Sequence, residues 1–412
     1  MAQFKTYTMK RKFFICSILF CVATACTSQN SSSSSYSSSD EKKGTHTITV
    51  NDESGSLKIE ARGDIIFNDD ETAVQSISRE GYLKYKKNGK KLSATPDDNG
   101  VIYYTYNDGA KTQQLNDDGK KFLVDAIRVM IEHGVDTKGH VDRLYKKGGT
   151  AAVLNDFDNV KSDYVKKMFI EYLLDKNVLT ADDMTTVANK ISKQISSDYE
   201  KGSLLSQFSE KYLSNPQTAA AYLGAVKSIG SDYEKANALK NIFSQSLSNE
   251  LFVQVMEIAN TVGSDYEKAG ILEDIISDND LSDDRFLSVV SAAKSIGSDY
   301  EKANVLEKIL SKNNVPANRF NETIAAVASI GSDYEKAGVL KNLAQKNLSS
   351  DDHWLAVIGA AEDIGSDYEK ADLLEEIADN MPKNDNVRSA FMKAAKTISS
   401  EYEYGRLMKS ID

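Results

Sequence analysis

Cysteine is almost missing from this 412-residue chain, and Cys16, Cys21 and Cys26 all lie at its start. No cysteine pair follows them, so the body of the protein has neither a disulfide nor a thiolate metal site and must rest on its core alone. Histidine is nearly as scarce: His46, His133, His140 and His353 are the full set. None has a partner at zinc-ligand spacing. His133 and His140, with Asp136 between them, read as a helix-end pair in a polar loop. A phosphate loop, a dinucleotide fingerprint and a Gly-x-Ser-x-Gly elbow are absent as well. Asp278-Asn279-Asp280-Leu281-Ser282-Asp283 imitates a calcium loop but lacks the glycine and the late glutamate that such a loop needs. No cofactor and no metal are therefore expected. Positive charge is also in deficit, with 50 Lys+Arg against 61 Asp+Glu and a net charge of −11. Lys5, Lys10, Arg11 and Lys12 precede Cys26, so loss of residues 1–25 would leave −11 − 4 = −15. So acidic a body makes nucleic acid a poor partner.

Long apolar runs are limited to one, FFICSILFCVATA, about 13 residues and too short for a comfortable membrane span. It follows Lys10-Arg11-Lys12, ends on small residues before Cys26, and has the layout of a secretory signal. Val22-Ala23-Thr24-Ala25-Cys26 resembles a bacterial lipoprotein signal, although that family prefers leucine where Ala23 stands. The resemblance implies a signal peptide over residues 1–25 and lipidation of Cys26. Met9 heads a better-proportioned signal than Met1. Thr27 after the cysteine, rather than aspartate, resembles the pattern sorted to the outer membrane. The first acid comes only at Asp40, which favours the face toward the periplasm. Residues 26–44 are serine-rich, cannot bury a core and read as a flexible tether.

What the chain has in plenty is one phrase, Ser-Asp-Tyr-Glu-Lys-Ala. Its tyrosines are Tyr164, Tyr199, Tyr233, Tyr266, Tyr300, Tyr334 and Tyr368, with Tyr402 in a variant Ser-Glu-Tyr-Glu. Successive spacings are 35, 34, 33, 34, 34, 34 and 34 residues. That period predicts a solenoid of about eight helix pairs over residues 150–412. In each copy serine can cap a helix and the glutamate three residues on can reach back, as Ser231 and Glu234 do in a capping box. Gly230, Gly263, Gly297, Gly331 and Gly365 stand just before the caps and are expected to end the preceding helices in the left-handed conformation. Small and apolar residues follow each tyrosine at offsets of three, six and nine, such as Ala303, Leu306 and Ile309, giving one buried stripe. An aromatic residue stands fourteen before the tyrosine in four copies: Phe252, Phe286, Phe320 and Trp354. The tyrosine rings themselves are expected to fill grooves between repeats. The lysine two residues after each tyrosine is expected to pair on the helix surface with the aspartate three before it.

Upstream, over residues 45–116, the apolar period falls from 3.6 to 2, and the breaks at Asn88-Gly89, Asn99-Gly100 and Asp108-Gly109 are hairpin signals. A small antiparallel sheet of about five strands is predicted, at residues 47–50, 57–59, 65–67, 82–85 and 101–106. Helices at 120–133 and 141–147 would make a helical cap over residues 117–149. The fold class is thus α+β, mostly α. The stretch GDIIFNDDETAVQSISREGYLKY followed by the repeats resembles extracytoplasmic modules of bacterial envelope proteins, found beside beta-lactam-sensor-type metallopeptidases and anti-sigma regulators. The resemblance implies fold and compartment. It carries no protease activity, because the His-Glu-x-x-His motif is missing.

The function expected is that of a lipid-anchored envelope scaffold, not an enzyme, that binds a protein or peptide partner and meets the membrane only through its anchor. Specificity would sit seven and eight residues after the tyrosines, where polar residues vary on a fixed frame: Lys240, Glu273, Asp274, Glu307, Lys308, Lys341 and Glu375. Two rival readings stand beside it. One is an envelope hydrolase using tyrosines and acids around Tyr103–Asp108. The other is a passive spacer or surface adhesin.

Overall fold

The structure is a computed structural model and describes residues 45–52, 55–176, 179–243, 247–278, 281–312, 315–346, 348 and 350–410. The signal, Cys26 and the serine-rich tether lie outside the described residues. Strands come first: β1 (Thr45–Asp52), β2 (Gly55–Arg62), β3 (Ile65–Phe67), β4 (Val74–Ile77), β5 (Tyr82–Lys87), β6 (Lys90–Pro96), β7 (Ile102–Asn107) and β8 (Thr112–Gln113). Six of them form one antiparallel sheet in the order β1-β2-β5-β6-β7-β8, and β3 pairs with β4 separately. The expected five strands are therefore eight. β6 escaped notice because it holds two lysines, an alanine and a closing proline, and no aromatic residue. It exists because Asn88 (φ 49°) and Gly89 (φ 81°) both take the left-handed turn that returns a hairpin. The register pairs Lys87 with Lys90 and Leu83 with Ala94. That register turns Leu83, Tyr85, Leu92 and Ala94 to the buried face.

The helix α1 (Asp117–Glu132) covers that face, sharing a core with the strands through Leu123, Ala126, Ile127 and Met130. Asn116 caps it, and Gly134 at φ 92° follows it. The next element, α2 (Thr137–Phe157), is broken by non-helical backbone at Gly148 and Gly149, where the sequence placed a helix end. Val141 and Val153 of α2 belong to the second core, that of the solenoid. The two cores therefore part between α1 and α2.

From α3 onward the helices alternate. The odd-numbered ones begin inside the phrase: α3 (Asp163–Lys176), α5 (Asp198–Leu213), α7 (Asp232–Leu239), α9 (Asp265–Asp278), α11 (Asp299–Lys312), α13 (Asp333–Ala344), α15 (Asp367–Asn380) and α17 (Glu401–Ser410). Between them lie α4 (Ala181–Gln194), α6 (Pro216–Lys227), α8 (Asn249–Asn260), α10 (Asp283–Lys294), α12 (Phe320–Ala328), α14 (Asp351–Glu362) and α16 (Asp385–Ala395). Odd helices pack on odd neighbours and even on even, so the solenoid has two layers. One continuous core runs between them from Val141 to Leu407. In α11 the buried positions are Lys302, Ala303, Val305, Leu306, Ile309 and Leu310. Phe252, Phe286, Phe320 and Trp354 are all buried from the even layer. Each such side chain contributes roughly 1.5–3 kcal/mol by leaving water.

A candidate binding surface on the solenoid

Each turn between paired helices is gripped by the phrase of the repeat before it. Asp265, at the start of α9, accepts hydrogen bonds from the backbone N–H groups of Gly297 (2.9 Å) and Ser298 (2.8 Å), which open α11. Asp198 does the same to Gly230 and Ser231, and Asp232 to Gly263 and Ser264. The predicted capping box is thus only half used. The Ser231 hydroxyl accepts from Glu234 N–H at 3.4 Å, but the Ser231 N–H donates to Asp198 rather than to Glu234. The glycines before the caps are likewise not left-handed. They are small for another reason. A Cβ on Gly331 would stand 2.9 Å from the Asp299 carboxylate, and one on Gly230 2.9 Å from that of Asp198.

The lysines of the phrase do not lie on the surface with their aspartates. Lys201, Lys235, Lys268, Lys302, Lys336 and Lys370 are all buried. Lys302 donates to the Ser329 carbonyl at 3.0 Å, and Lys201 to that of Ser228 at 3.1 Å. Lys370 reaches the Thr397 hydroxyl. These acceptors sit at the C-terminal ends of the even helices of the next repeat. Carboxylate to helix N-terminus and ammonium to helix C-terminus are both the signs that helix dipoles favour.

The tyrosine is the exception within the phrase. The rings do not fill grooves: exposure ranges from 57% at Tyr368 to 77% at Tyr402. Among the described residues none of the eight hydroxyls makes a hydrogen bond. The helical pattern already carried the signal. At about 100° per residue, the six buried positions of α11 centre roughly 140° away from Tyr300. Tyr164, Tyr199, Tyr233, Tyr266, Tyr300, Tyr334, Tyr368 and Tyr402 therefore make a ladder along the edge where odd helices begin. Lys167 lies 5.9 Å from the ring centre of Tyr199, and Arg406 5.5 Å from that of Tyr368. The glutamate after the tyrosine is half-buried in all seven copies that have one. Burial, and then the charge of Asp198, raise the Glu234 carboxyl above its usual range.

The residues expected to read a partner lie on the odd layer, and most bridge neighbouring repeats. Glu273 pairs with Lys308 at 3.2 Å, Glu375 with Arg406 at 2.9 Å, and Lys341 with Asp372. Glu307 is half-buried, and its carboxyl is raised by burial and by Glu335. Asp274 is half-buried as well, while Lys240 is exposed and donates to the Asn237 side chain.

Two features lie on the sheet domain. Its open face carries a shallow concavity of about 460 Å³ lined by Lys58, Glu60, Lys84, Lys86, Lys91 and Thr105, among others. Glu60 pairs there with Lys58 and Lys84, and the hydrogen bond from Lys58 outweighs burial in lowering its carboxyl. Asp108, exposed nearby, is held low by the N–H groups of Ala110 and Lys111. Neither acid has the raised pKa of a general acid. The second feature is a buried junction that the sequence did not disclose. His140 on α2 meets Glu71, from the loop between β3 and β4, at 2.6 Å through Nδ1, and Asp156 at 2.9 Å through Nε2. Arg143 donates to Glu71 and to Asp136, and Asp136 accepts from the Phe67 N–H. Burial would lower the His140 pKa, but hydrogen bonds to Asp156 and Glu71 push it up to about 9. In Glu71 burial is outweighed by His140 and Arg143, so its carboxyl stays low. Among the described residues no group of three or more acids, histidines or cysteines could hold a metal ion. Nor, among them, is any helix long and apolar enough to cross a membrane.

The architecture defines a helical-repeat protein with a small β domain at its N-terminal side. No protein-family model matches the sequence, and neither does any curated protein. Among solved structures the chain is similar to one described as "Computational Design of Self-Assembling Cyclic Protein Homooligomers", at 14% identity over 69% of this chain and 93% of that one. The TM-score is 0.12, which carries no argument about function.

Proposed function

We propose that the protein is a lipid-anchored scaffold of the bacterial envelope, held through Cys26 in the outer membrane and facing the periplasm, whose solenoid binds a protein or peptide partner. In this reading it is not an enzyme. The observation that supports it is the division of labour on the odd helices. Buried offsets are nearly constant, whereas the positions seven and eight after the tyrosine vary in charge among the repeats. Lys240, Glu273, Glu307, Lys341 and Glu375 line up along the layer as a row of mixed charge on a fixed frame. Stacked repeats of this kind present extended binding surfaces. A partner would exchange the inter-repeat ion pairs for pairs of its own. The cost of that exchange is small, since pairs this accessible contribute roughly 0.2–1 kcal/mol each.

Two experiments test the proposal. Glu273→Lys with Lys308→Glu keeps the bridge and reverses its display, and Lys341→Glu with Asp372→Lys does the same two repeats further on. Proteins cross-linked to the full chain in envelope preparations should change in these variants, and an unchanged set removes the site. For the anchor, Cys26→Ser should move the protein from the membrane to the soluble periplasmic fraction. Parent and variant fractionating alike removes the lipid.

A further inference from the structure

We propose that the tyrosine ladder binds a linear, uncharged, β-1,4-linked polysaccharide, with about one disaccharide on each rung. This surface is distinct from the charged positions above, and neither reading depends on the other. The phrase supplies the first argument. Serine caps its own helix, aspartate and lysine hold the next repeat, and alanine is buried in the core. The tyrosine ring is exposed and, among the described residues, its hydroxyl holds no other part of the frame, yet tyrosine stands in all eight copies. Positions seven and eight residues later have drifted freely through Ser, Lys, Glu, Gln, Asn, Asp and Tyr. Even in the last copy, where Glu401 replaces the aspartate and Ser399 the glycine, Tyr402 remains.

Regularity supplies the second argument. Identical side chains on packed helices repeat every ~8–10 Å, the spacing of neighbouring helix axes. An extended β-1,4 glycan repeats its disaccharide at a similar length. A protein partner would need the same side chain at that spacing over many rungs, whereas a polysaccharide has such a period by construction. Chemistry supplies the third. A tyrosine ring offers an apolar face to the axial C–H groups of a pyranose and a hydroxyl to its rim. The adjacent glutamates, half-buried beside the rings, are acceptors for sugar hydroxyls. Charge supplies the fourth. Every rung carries an acidic residue before the tyrosine, and seven carry a glutamate after it. Such an edge repels polyanions and repels a second copy of itself.

The test uses the full chain and soluble cello- and chito-oligosaccharides in titration calorimetry. Affinity should rise about tenfold or more from disaccharide to hexasaccharide as further rungs are engaged. Preference for the chito- over the cello- series identifies an N-acetylated amino-sugar polymer as the source, and the reverse identifies a glucan. Tyr266→Ala with Tyr300→Ala and Tyr334→Ala should weaken hexasaccharide binding about tenfold or more. The same three changed to Phe should retain most of the affinity, and melting temperature reports that all variants fold. Binding of neither series overturns the proposal, as does hexasaccharide binding unchanged in the triple alanine variant. Self-association that the alanine variant abolishes overturns it too, giving the edge to a second copy.

Discussion

Aspartate at the second position of the phrase contributes to a helix that is not its own. The Asp265 carboxylate satisfies two N–H groups at the start of α11, which would otherwise lack partners. Charged hydrogen bonds of this kind are worth about 1.5–3 kcal/mol. Asp265→Ala should therefore lower stability by about that amount in thermal melts. Tyr266→Ala, one residue away and 71% exposed, should stay within about 0.5 kcal/mol of the parent. Equal losses for the two would mean that the clasp contributes nothing. His140 is a second residue whose partners decide its behaviour. Its folded pKa of about 9 lies above the ordinary 6.5, so its contribution is full below 6.5 and is lost as pH rises through about 9. Glu71 has the opposite sign. Its lowered carboxyl contributes above its ordinary 4.5, and that contribution is lost as pH falls through the depressed value. The junction between sheet and helices should be firmest between the two ordinary values, 4.5 and 6.5. Hydrogen-exchange protection along β3 and β4, relative to the intrinsic base-catalysed rate, should fall on the alkaline side, and His140→Gln should remove that fall. An alkaline limb that survives the substitution would exclude His140 as its cause.

At the level of single elements, the odd helices bury one stripe and leave the opposite face to solvent and neighbouring charges. Ala303 is 1% exposed against the adjacent helix, whereas Asn304 is half-buried on the flank. Ala303→Leu should cost roughly 1–3 kcal/mol through overpacking. Asn304→Leu should cost several times less, as compared by denaturant midpoints. The helices were legible in the sequence because caps, stripe and period agree from the Tyr199 copy onward. The strands were less so. β5 and β7 show aromatic alternation, but β6 is lysine-rich, and only pairing with β5 and β7 reveals that Leu92 and Ala94 face inward. The tyrosine ladder was legible in principle, since its angle from the buried stripe follows from helical geometry. The weight given to a large aromatic ring pointed the other way.

Across the whole molecule each repeat touches only its neighbours, so length rather than diameter grows with repeat number. Eight odd helices at ~8–10 Å spacing give a solenoid on the order of 70–80 Å long. Small-angle scattering from the soluble chain should show that elongation, and a spherical envelope would contradict the two-layer stack. Stability should be distributed in the same way. Deleting α16 and α17 should expose the end of the core at α14 and α15 while the sheet and the earlier repeats keep their exchange protection. Collapse of the whole chain would show a cooperativity that nearest-neighbour stacking does not supply.

The sequence by itself determined the repeat, its helix pairs, the buried stripe and the position of a small β domain. These follow from signals within one or two helical turns, or from a period that imposes the same contacts again and again. Only the tertiary structure decided where the polar groups of the phrase go. Asp265 finds Ser298 across 33 residues, Lys302 finds Ser329 across 27, and His140 finds Glu71 across 69. A charged side chain pairs with whatever donor or acceptor the packing brings near, and local spacing does not encode that partner. The same packing gave the serine, aspartate and lysine of the phrase their partners and left the tyrosines facing water.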